Sequence, residues 1–542
     1  MKQSMLGLLK SIVDRLEKKT KYKSESNEFK KDEPTYFLAD IDKNINILQS
    51  FLCESDDIVF RTFQITTLPS IKAAVVFIES LVDTSELESS VLSPLTLGIG
   101  EKSLEERKVL SSDTAALIEK NLININISFY QQAEMAIDEI LKGNGILLIN
   151  GFPKAISIDI SKIIGKKHAE PKTEKVVKGP QQGFVEDIAT NIAIIRRRIK
   201  SPHLAIKALQ LGRVSKSEVK VLYLDNIADL SIVEELFRRL KRIDVDGIMG
   251  SSMIEEYITD SPVNLFPTTY YTERPDRVQA MLLDGRVAIV YDGTPFVIVI
   301  PAIVSDFFTT PEDYYQNYYF STFNRLLGYF GALILTFLPS IYIAFTTFHQ
   351  EMIPTRLALS LAGTKAGVPY PAFVEALIME FSFEALREAG IRLPIHMGQA
   401  VSIVGALIIG QAAVEAGLVS PTVVIIVAIT AIFSFTMPYN NFSLSLRLIR
   451  FINMALAATL GIYGIMTSAL IIALSLTSLR SFGVPFMVPF APLSLQDMKD
   501  WVLRFPDWSI TKRSPHIVNN NITKKAKNLK PSPSGNERKK EL

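Results

Sequence analysis

The chain has a single cysteine, Cys53, in 542 residues. An intramolecular disulfide is therefore excluded, and so is any cysteine-based zinc site. The five histidines (His168, His203, His349, His396 and His516) are too far apart in sequence to show a metal-ligand spacing. No phosphate-binding G-x-x-x-x-G-K-[ST] loop and no G-x-G-x-x-G turn is present. A G-x-S-x-G elbow and an H-E-x-x-H helix are missing too. Adjacent acidic pairs such as Glu234/Glu235 and Glu255/Glu256 point in different directions on a helix and read as solvated faces. We therefore expect no catalytic residues, no cofactor and no metal.

Charge is missing where it matters most. Lys, Arg, Asp and Glu are spread through residues 1–325, but the runs 326–348, 393–414, 416–446 and 451–479 contain none of them. A helix needs roughly 20 apolar residues to cross a hydrocarbon core of about 30 Å. Backbone groups in lipid must pair within their own segment, so these runs read as helices. Continuous apolar character, without alternation, argues against a membrane β-barrel. We expect four spans, at about 326–348, 396–414, 419–437 and 451–477. A chain with 48% hydrophobic residues and a net charge of +2 is neither disordered nor a simple polybasic nucleic-acid binder.

The expected fold class is an α/β N-terminal region of two related subdomains, followed by an all-α multi-span membrane domain. Residues 1–45 form an amphipathic or flexible start, because Lys10, Asp14 and Arg15 interrupt its apolar residues. This is unlike an apolar leader, so the N-terminal region is expected in the cytosol. Subdomains are expected at 46–165 and 184–325, with a Lys/Pro-rich exposed linker at 166–183 between them. The membrane domain covers 326–480. A basic cytosolic tail covers 481–542 and is expected to be disordered after about 515. Residues 196–200 (RRRIK) read as a solvated basic helix end.

Two stretches look duplicated. Residues 146–160 (ILLINGFPKAISIDI) and 287–301 (VAIVYDGTPFVIVIP) are apolar runs split by a Gly-containing turn. Upstream, 74–83 (AVVFIESLVD) resembles 220–229 (KVLYLDNIAD) at a similar offset. Asp292-Gly293 marks 287–304 as a β-hairpin rather than a fifth span. Four spans place the loop after the first of them outside, although it carries Arg356, Lys365, Arg387 and Arg392. A re-entrant or interfacial helix at 371–389 would accommodate this, and a fifth span would be the other solution.

Polar residues at membrane depth are costly and so draw notice. Glu380, Glu384 and Arg387 follow a helical spacing on one face, and Glu375 lies on another. They read either as the wet side of an interfacial helix or as pore or gate residues of an assembled ion path. Ser402, Ala406, Gly410 and Ala413 form a small-residue stripe for helix packing. Gln399 and Gln411 are intramembrane polar residues expected to bond a neighbouring helix. Pro339 kinks the first span. Arg447 and Arg450 precede the fourth span and are expected to snorkel to the interface.

The motifs GVPYP (367–371), EALREAGIRLP (384–394), QAVSIVGALIIGQAAVEAGLVSP (399–421) and SLRSFGVPFMVPFAP (478–492) resemble the A subunit of spore germinant receptors, the GerA family. GFVEDIATNIAIIRRRI (183–199) and DGTPFVIVIPA (292–302) resemble it as well, and the likeness runs from about residue 50 to 507. The block departs from the family pattern at Ile395-His396-Met397. The resemblance implies a nutrient-sensing receptor subunit in the spore inner membrane. Its implied partners are a transporter-like B subunit, a lipoprotein C subunit and further copies of itself. It also implies an ion channel that starts germination. A non-conducting scaffold for the other subunits is the alternative, and a secondary transporter fits less well, since no inverted repeat of spans is visible.

Overall fold

The computed structural model describes residues 34–65, 71–96, 126–162, 169–393, 410–519, 521–526 and 529–531. Two compact units emerge. One holds most of a first sheet. The other runs from Lys162 onward and adds Leu52–Val59 and Ile78–Leu81.

The first sheet is built from β1 (Ile58–Ile65), β2 (Ile71–Ile78), β3 (Ile127–Tyr130), β4 (Gly145–Ile149) and β5 (Ala155–Ile158). Its strand order is β1-β2-β4-β5-β3. Helices α1 (Ile41–Phe51) and α2 (Ala133–Lys142) flank it in sequence. The second sheet contains β6 (Leu204–Leu211), β7 (Ser217–Leu224), β8 (Tyr270–Thr272), β9 (Val287–Tyr291) and β10 (Val297–Ile300). Its order, β6-β7-β9-β10-β8, repeats the first strand for strand. The duplicated stretches fall on equivalent elements, β2 with β7 and β4–β5 with β9–β10. The recorded strand pairings in both sheets are antiparallel.

Strands β9 and β10 are buried along their whole length. This explains an uninterrupted apolar run that is not a span. The strands pair with Ile298 opposite Ile289 around the Asp292-Gly293 turn. Gly293 has φ +90 and Gly151, in the equivalent turn of the first sheet, has φ +88. A side chain rarely adopts that conformation.

Helices α3 (Ile188–Arg198), α4 (Leu230–Arg242), α5 (Ser251–Ile258) and α6 (Pro275–Leu283) belong with the second sheet. Asp187 and Asp229 cap α3 and α4 by accepting from the Thr190 and Ser231 amides. On α4, Ile232, Val233, Leu236 and Leu240 are buried, one apolar stripe at helical spacing. The basic end of α3 is not simply solvated. Arg196 is buried, and its Nε and Nη2 donate to the two Asp57 carboxylate oxygens at 2.9 and 2.7 Å. Near this pair, burial pushes the Cys53 thiol up to about 12, against the pull of Arg196.

Residues 169–183 are not a free linker either. Glu273 accepts from the Lys172 amide at 2.7 Å and from the Thr173 hydroxyl at 2.9 Å. Arg274 donates to the Glu174 and Pro180 carbonyls at 3.0 and 2.8 Å. The Glu174 carboxyl is held above the usual carboxylate range, chiefly by burial.

The C-terminal part is helical. It contains α7 (Tyr318–Thr347), α8 (Thr355–Lys365), α9 (Ala372–Arg392), α10 (Pro421–Ser434), α11 (Asn440–Leu460) and α12 (Ile462–Ser478). Two of these, α7 and α11, are long and apolar enough to cross a membrane, whereas α10 and α12 are shorter apolar helices. The expected first and third spans map onto α7 and α10. The expected second span lies mostly outside the described residues, and its described end, 410–415, is helical.

The expected fourth span, 451–477, is corrected. Gly461, with φ +61 and ψ −136, breaks it into α11 and α12. A Cβ built on Gly464 would lie 2.2 Å from the Leu456 carbonyl oxygen, so the two helices meet backbone to backbone. The expectation for the tail is corrected over its described part, while 532–542 lie outside the described residues. Arg513 donates to the Leu283 carbonyl at 2.6 Å and to the Asn521 carbonyl at 3.0 Å, so residues 521–526 continue a placed segment.

Candidate functional site: a charged helix inside the bundle

Helix α9 packs against α7, α10 and α11. This corrects the expectation of an interfacial helix with a wet charged side. Glu375 and Glu380 are fully buried. Each charge on the helix meets a specific partner. Glu380 faces Arg450 on α11 at 3.0 Å. Glu384 accepts from Arg447 at 2.7 Å and from Arg450 at 2.9 Å. Arg447 and Arg450 are themselves buried, so they do not snorkel.

The ends of α9 meet the ends of α10. The Glu375 carboxylate accepts from the Ser420 amide at 2.8 Å, at the N-terminus of α10. The Lys365 ammonium lies 3.7 Å from the same carboxylate. At the other end, Arg387 donates to the Ser434 hydroxyl at 2.9 Å, on the last residue of α10. Its guanidinium also lies 4.8 Å from the Phe435 ring centre. An anion therefore sits at the positive end of α10 and a cation at its negative end. Each such placement contributes about 0.3–2 kcal/mol. Buried charges are tolerated only when paired in this way.

A second polar cluster surrounds the proline of α7. Pro339 is buried inside α7 and has no N–H to give the Leu335 carbonyl. One residue on, the Thr336 carbonyl accepts from Asn453 of α11 at 3.1 Å. Ser468 of α12 donates to the same Asn453 side chain. Three helices are thus tied together beside the proline.

Of the small-residue stripe, Ser402 and Ala406 lie outside the described residues, as does Gln399. Gly410 lets Val424 of α10 approach: a Cβ built on the glycine would lie 3.4 Å from the Val424 Cγ1. Ala413 packs beside the buried cluster containing Val419 and Val423. Gln411 is exposed and donates to Glu415 at 2.9 Å. It bonds its own turn rather than a neighbouring helix.

The foot of the bundle is bolted to the second sheet. Tyr439, just before α11, is buried, and its hydroxyl accepts from the Tyr271 amide at 3.1 Å. Its ring lies 5.0 Å from Tyr270 and 4.9 Å from Phe307. After α12, Ser481 donates to the Thr268 carbonyl at 2.6 Å and accepts from the Ala302 amide at 3.0 Å. At the start of α7, Arg325 is buried between Asp313 at 2.9 Å and Asp500 at 2.8 Å. Tyr439 is a residue that the sequence alone does not single out. A tyrosine beside Asn-Asn carries no local signal of its partner 168 residues away.

The chain thus combines two sheets of one strand order with a helical bundle whose inner helix has its buried charges paired. The chain belongs to the Bacillus/Clostridium GerA spore germination protein family, whose pattern it matches over residues 46–516. It is 40% identical to spore germination protein KA of Bacillus subtilis (strain 168), over 93% of this chain and 91% of that protein. An uncharacterized membrane protein of the same organism, YfkQ, is 38% identical over 89% of this chain and 92% of its own length. Among solved structures, the N-terminal domain of the A subunit of the Bacillus megaterium spore germinant receptor GerK3 is 32% identical. It covers 50% of this chain and 98% of that domain, with a TM-score of 0.39.

Proposed function

We propose that this chain is the A subunit of a nutrient-sensing spore germinant receptor and has no enzymatic activity. In this reading it sits in the spore inner membrane with its sheets on the core side. It assembles with a transporter-like B subunit, a lipoprotein C subunit and further copies of itself. Opening of its helical region releases ions and starts germination. Family membership supports the receptor role. The observation that carries the mechanism is the buried ladder from Glu380 and Glu384 to Arg447 and Arg450, on a helix whose first turn is held by Tyr439 in the second sheet.

A nutrient bound by a partner must favour one arrangement of these helices over another, because equal affinity for both shifts nothing. In this reading the two arrangements are the carboxylates paired with α11, as in the structure, and the carboxylates released from it. The test is potassium efflux from nutrient-challenged spores carrying Glu380→Gln or Glu384→Gln. The expected result is altered efflux with the receptor complex still assembled. Unaltered efflux removes α9 from the ion path. The scaffold alternative is separated by reconstituting the chain in liposomes, where a scaffold gives no conductance.

A further inference from the structure

The segment after the last helix carries a feature that the receptor role does not use. Residues 490–496 contain no charged residue, yet they leave the core that Phe482, Val484, Phe486 and Val488 enter just before them. Phe490 is 55% exposed, Leu493 66% and Leu495 76%. Leu503 and Phe505 are exposed as well. Soluble surfaces rarely leave so many large apolar side chains together in water.

The segment's height along the bundle is set by its contacts with α7. The Trp501 ring lies 6.0 Å from Tyr329 and 5.7 Å from Phe490. Tyr329 is 18 residues from the far end of α7 at Thr347, about 27 Å at 1.5 Å per residue. A hydrocarbon core is about 30 Å thick. Further down, the Arg504 amide donates to the Thr322 hydroxyl at 3.1 Å. Thr322 is about 38 Å from Thr347, at headgroup depth. The outer face of α7 at these levels is apolar and exposed, through Phe323 and Phe330. The exposed residues of 490–505 therefore continue the lipid-facing surface of the bundle at the depth where aromatic belts occur.

We propose that residues 490–505 lie in the interface of the core-side leaflet, with Phe490, Leu493 and Leu495 dipping into its acyl chains. The occupant of this surface is lipid. The charge-free stretch 490–496, followed by the charged Asp497, Lys499, Asp500 and Arg504, matches with its aromatic residues and its depth along α7 a monotopic interfacial segment. Through the Asp500–Arg325 pair, this collar sits directly on the base of α7. The proposal rests on the reading of the helical part as membrane-embedded.

The full-length protein in nanodiscs of phosphatidylglycerol and phosphatidylethanolamine tests it. Cys53 is the only cysteine, so Cys53→Ser leaves a clean background for one fluorophore. Labels go on Leu493→Cys and, separately, Leu495→Cys. Leu470→Cys on α12 serves as a lipid reference and Val214→Cys in the β6–β7 turn as a water reference, since both side chains are exposed. The expected result is that both collar labels lose most of their emission to shallow nitroxide lipids, as Leu470 does, and resist aqueous iodide. Iodide quenching equal to that at Val214 overturns the proposal. Shielding from both quenchers also overturns it, because protein then covers the surface. If Leu470 itself escapes the nitroxide lipids, the membrane reading fails and takes this proposal with it.

Discussion

Arg450 offers the sharpest test of the bundle. It is 1% exposed and bridges two carboxylates, Glu380 at 3.0 Å and Glu384 at 2.9 Å. In Arg450→Met the apolar volume is roughly kept, but Glu380 loses its ion-pair partner while remaining buried. Glu384 keeps Arg447. Removing one partner of a buried pair costs about 3–5 kcal/mol, mostly for the stranded charge. That corresponds to a fall of about 100- to 5,000-fold in the folded-to-unfolded equilibrium constant. Adding Glu380→Gln removes the stranded charge, so the double variant should recover most of the loss. The assay is unfolding of detergent-solubilised full-length protein in increasing SDS, beside Glu380→Gln alone. The reasoning is refuted if Arg450→Met costs less than about 1 kcal/mol, the value of an exposed pair. A double variant no more stable than the single refutes it equally.

Tyr439→Ala should cost about 3–5 kcal/mol by emptying its place between Tyr270 and Phe307, and Tyr439→Phe only about 1 kcal/mol; thermal unfolding of the pair checks the ratio. Gly461→Ala should destabilise by about 1–3 kcal/mol, because φ +61 with ψ −136 is a glycine conformation and an added Cβ would lie 2.8 Å from the His349 ring; equal melting temperatures would contradict this. The buried Glu174 carboxyl has a raised pKa, so it binds its proton more tightly folded than unfolded. Its contribution is fully present below the ordinary glutamate value near 4.5 and is lost as pH rises through the folded value. Glu174→Gln should therefore flatten the decline in melting temperature between acidic and neutral pH, and an unchanged slope would exclude Glu174 as its source.

Much of the architecture was legible because it is written in local periodicity. Asp292-Gly293 between two β-rich runs marks a hairpin whatever surrounds it. The similarity of 146–160 to 287–301 anticipates two sheets of one strand order, since like sequences bury like faces. Charge-free runs mark helices because lipid gives the backbone no other partner. The motifs near 367–371 and 478–492 carry family membership on their own.

Partner choice was not legible. Arg196 reads as one of three solvated arginines, and only the fold brings Asp57 to it from 139 residues away. Glu380 and Glu384 read either as a wet helix face or as pore residues, and Arg447 and Arg450 as interfacial cations. The wet-face and interfacial readings suit an isolated helix, and packing pairs the four charges with one another instead. Their spacings, i and i+4 against i and i+3, do not by themselves identify the two helices as partners. The break at Gly461 is not legible in the sequence, because an apolar run looks the same whether one helix or two fill it. The sequence by itself decided which segments avoid water and which turns they make, because those depend on neighbours along the chain. The tertiary structure alone decided which charge neutralises which, because ion pairing depends on distance in space.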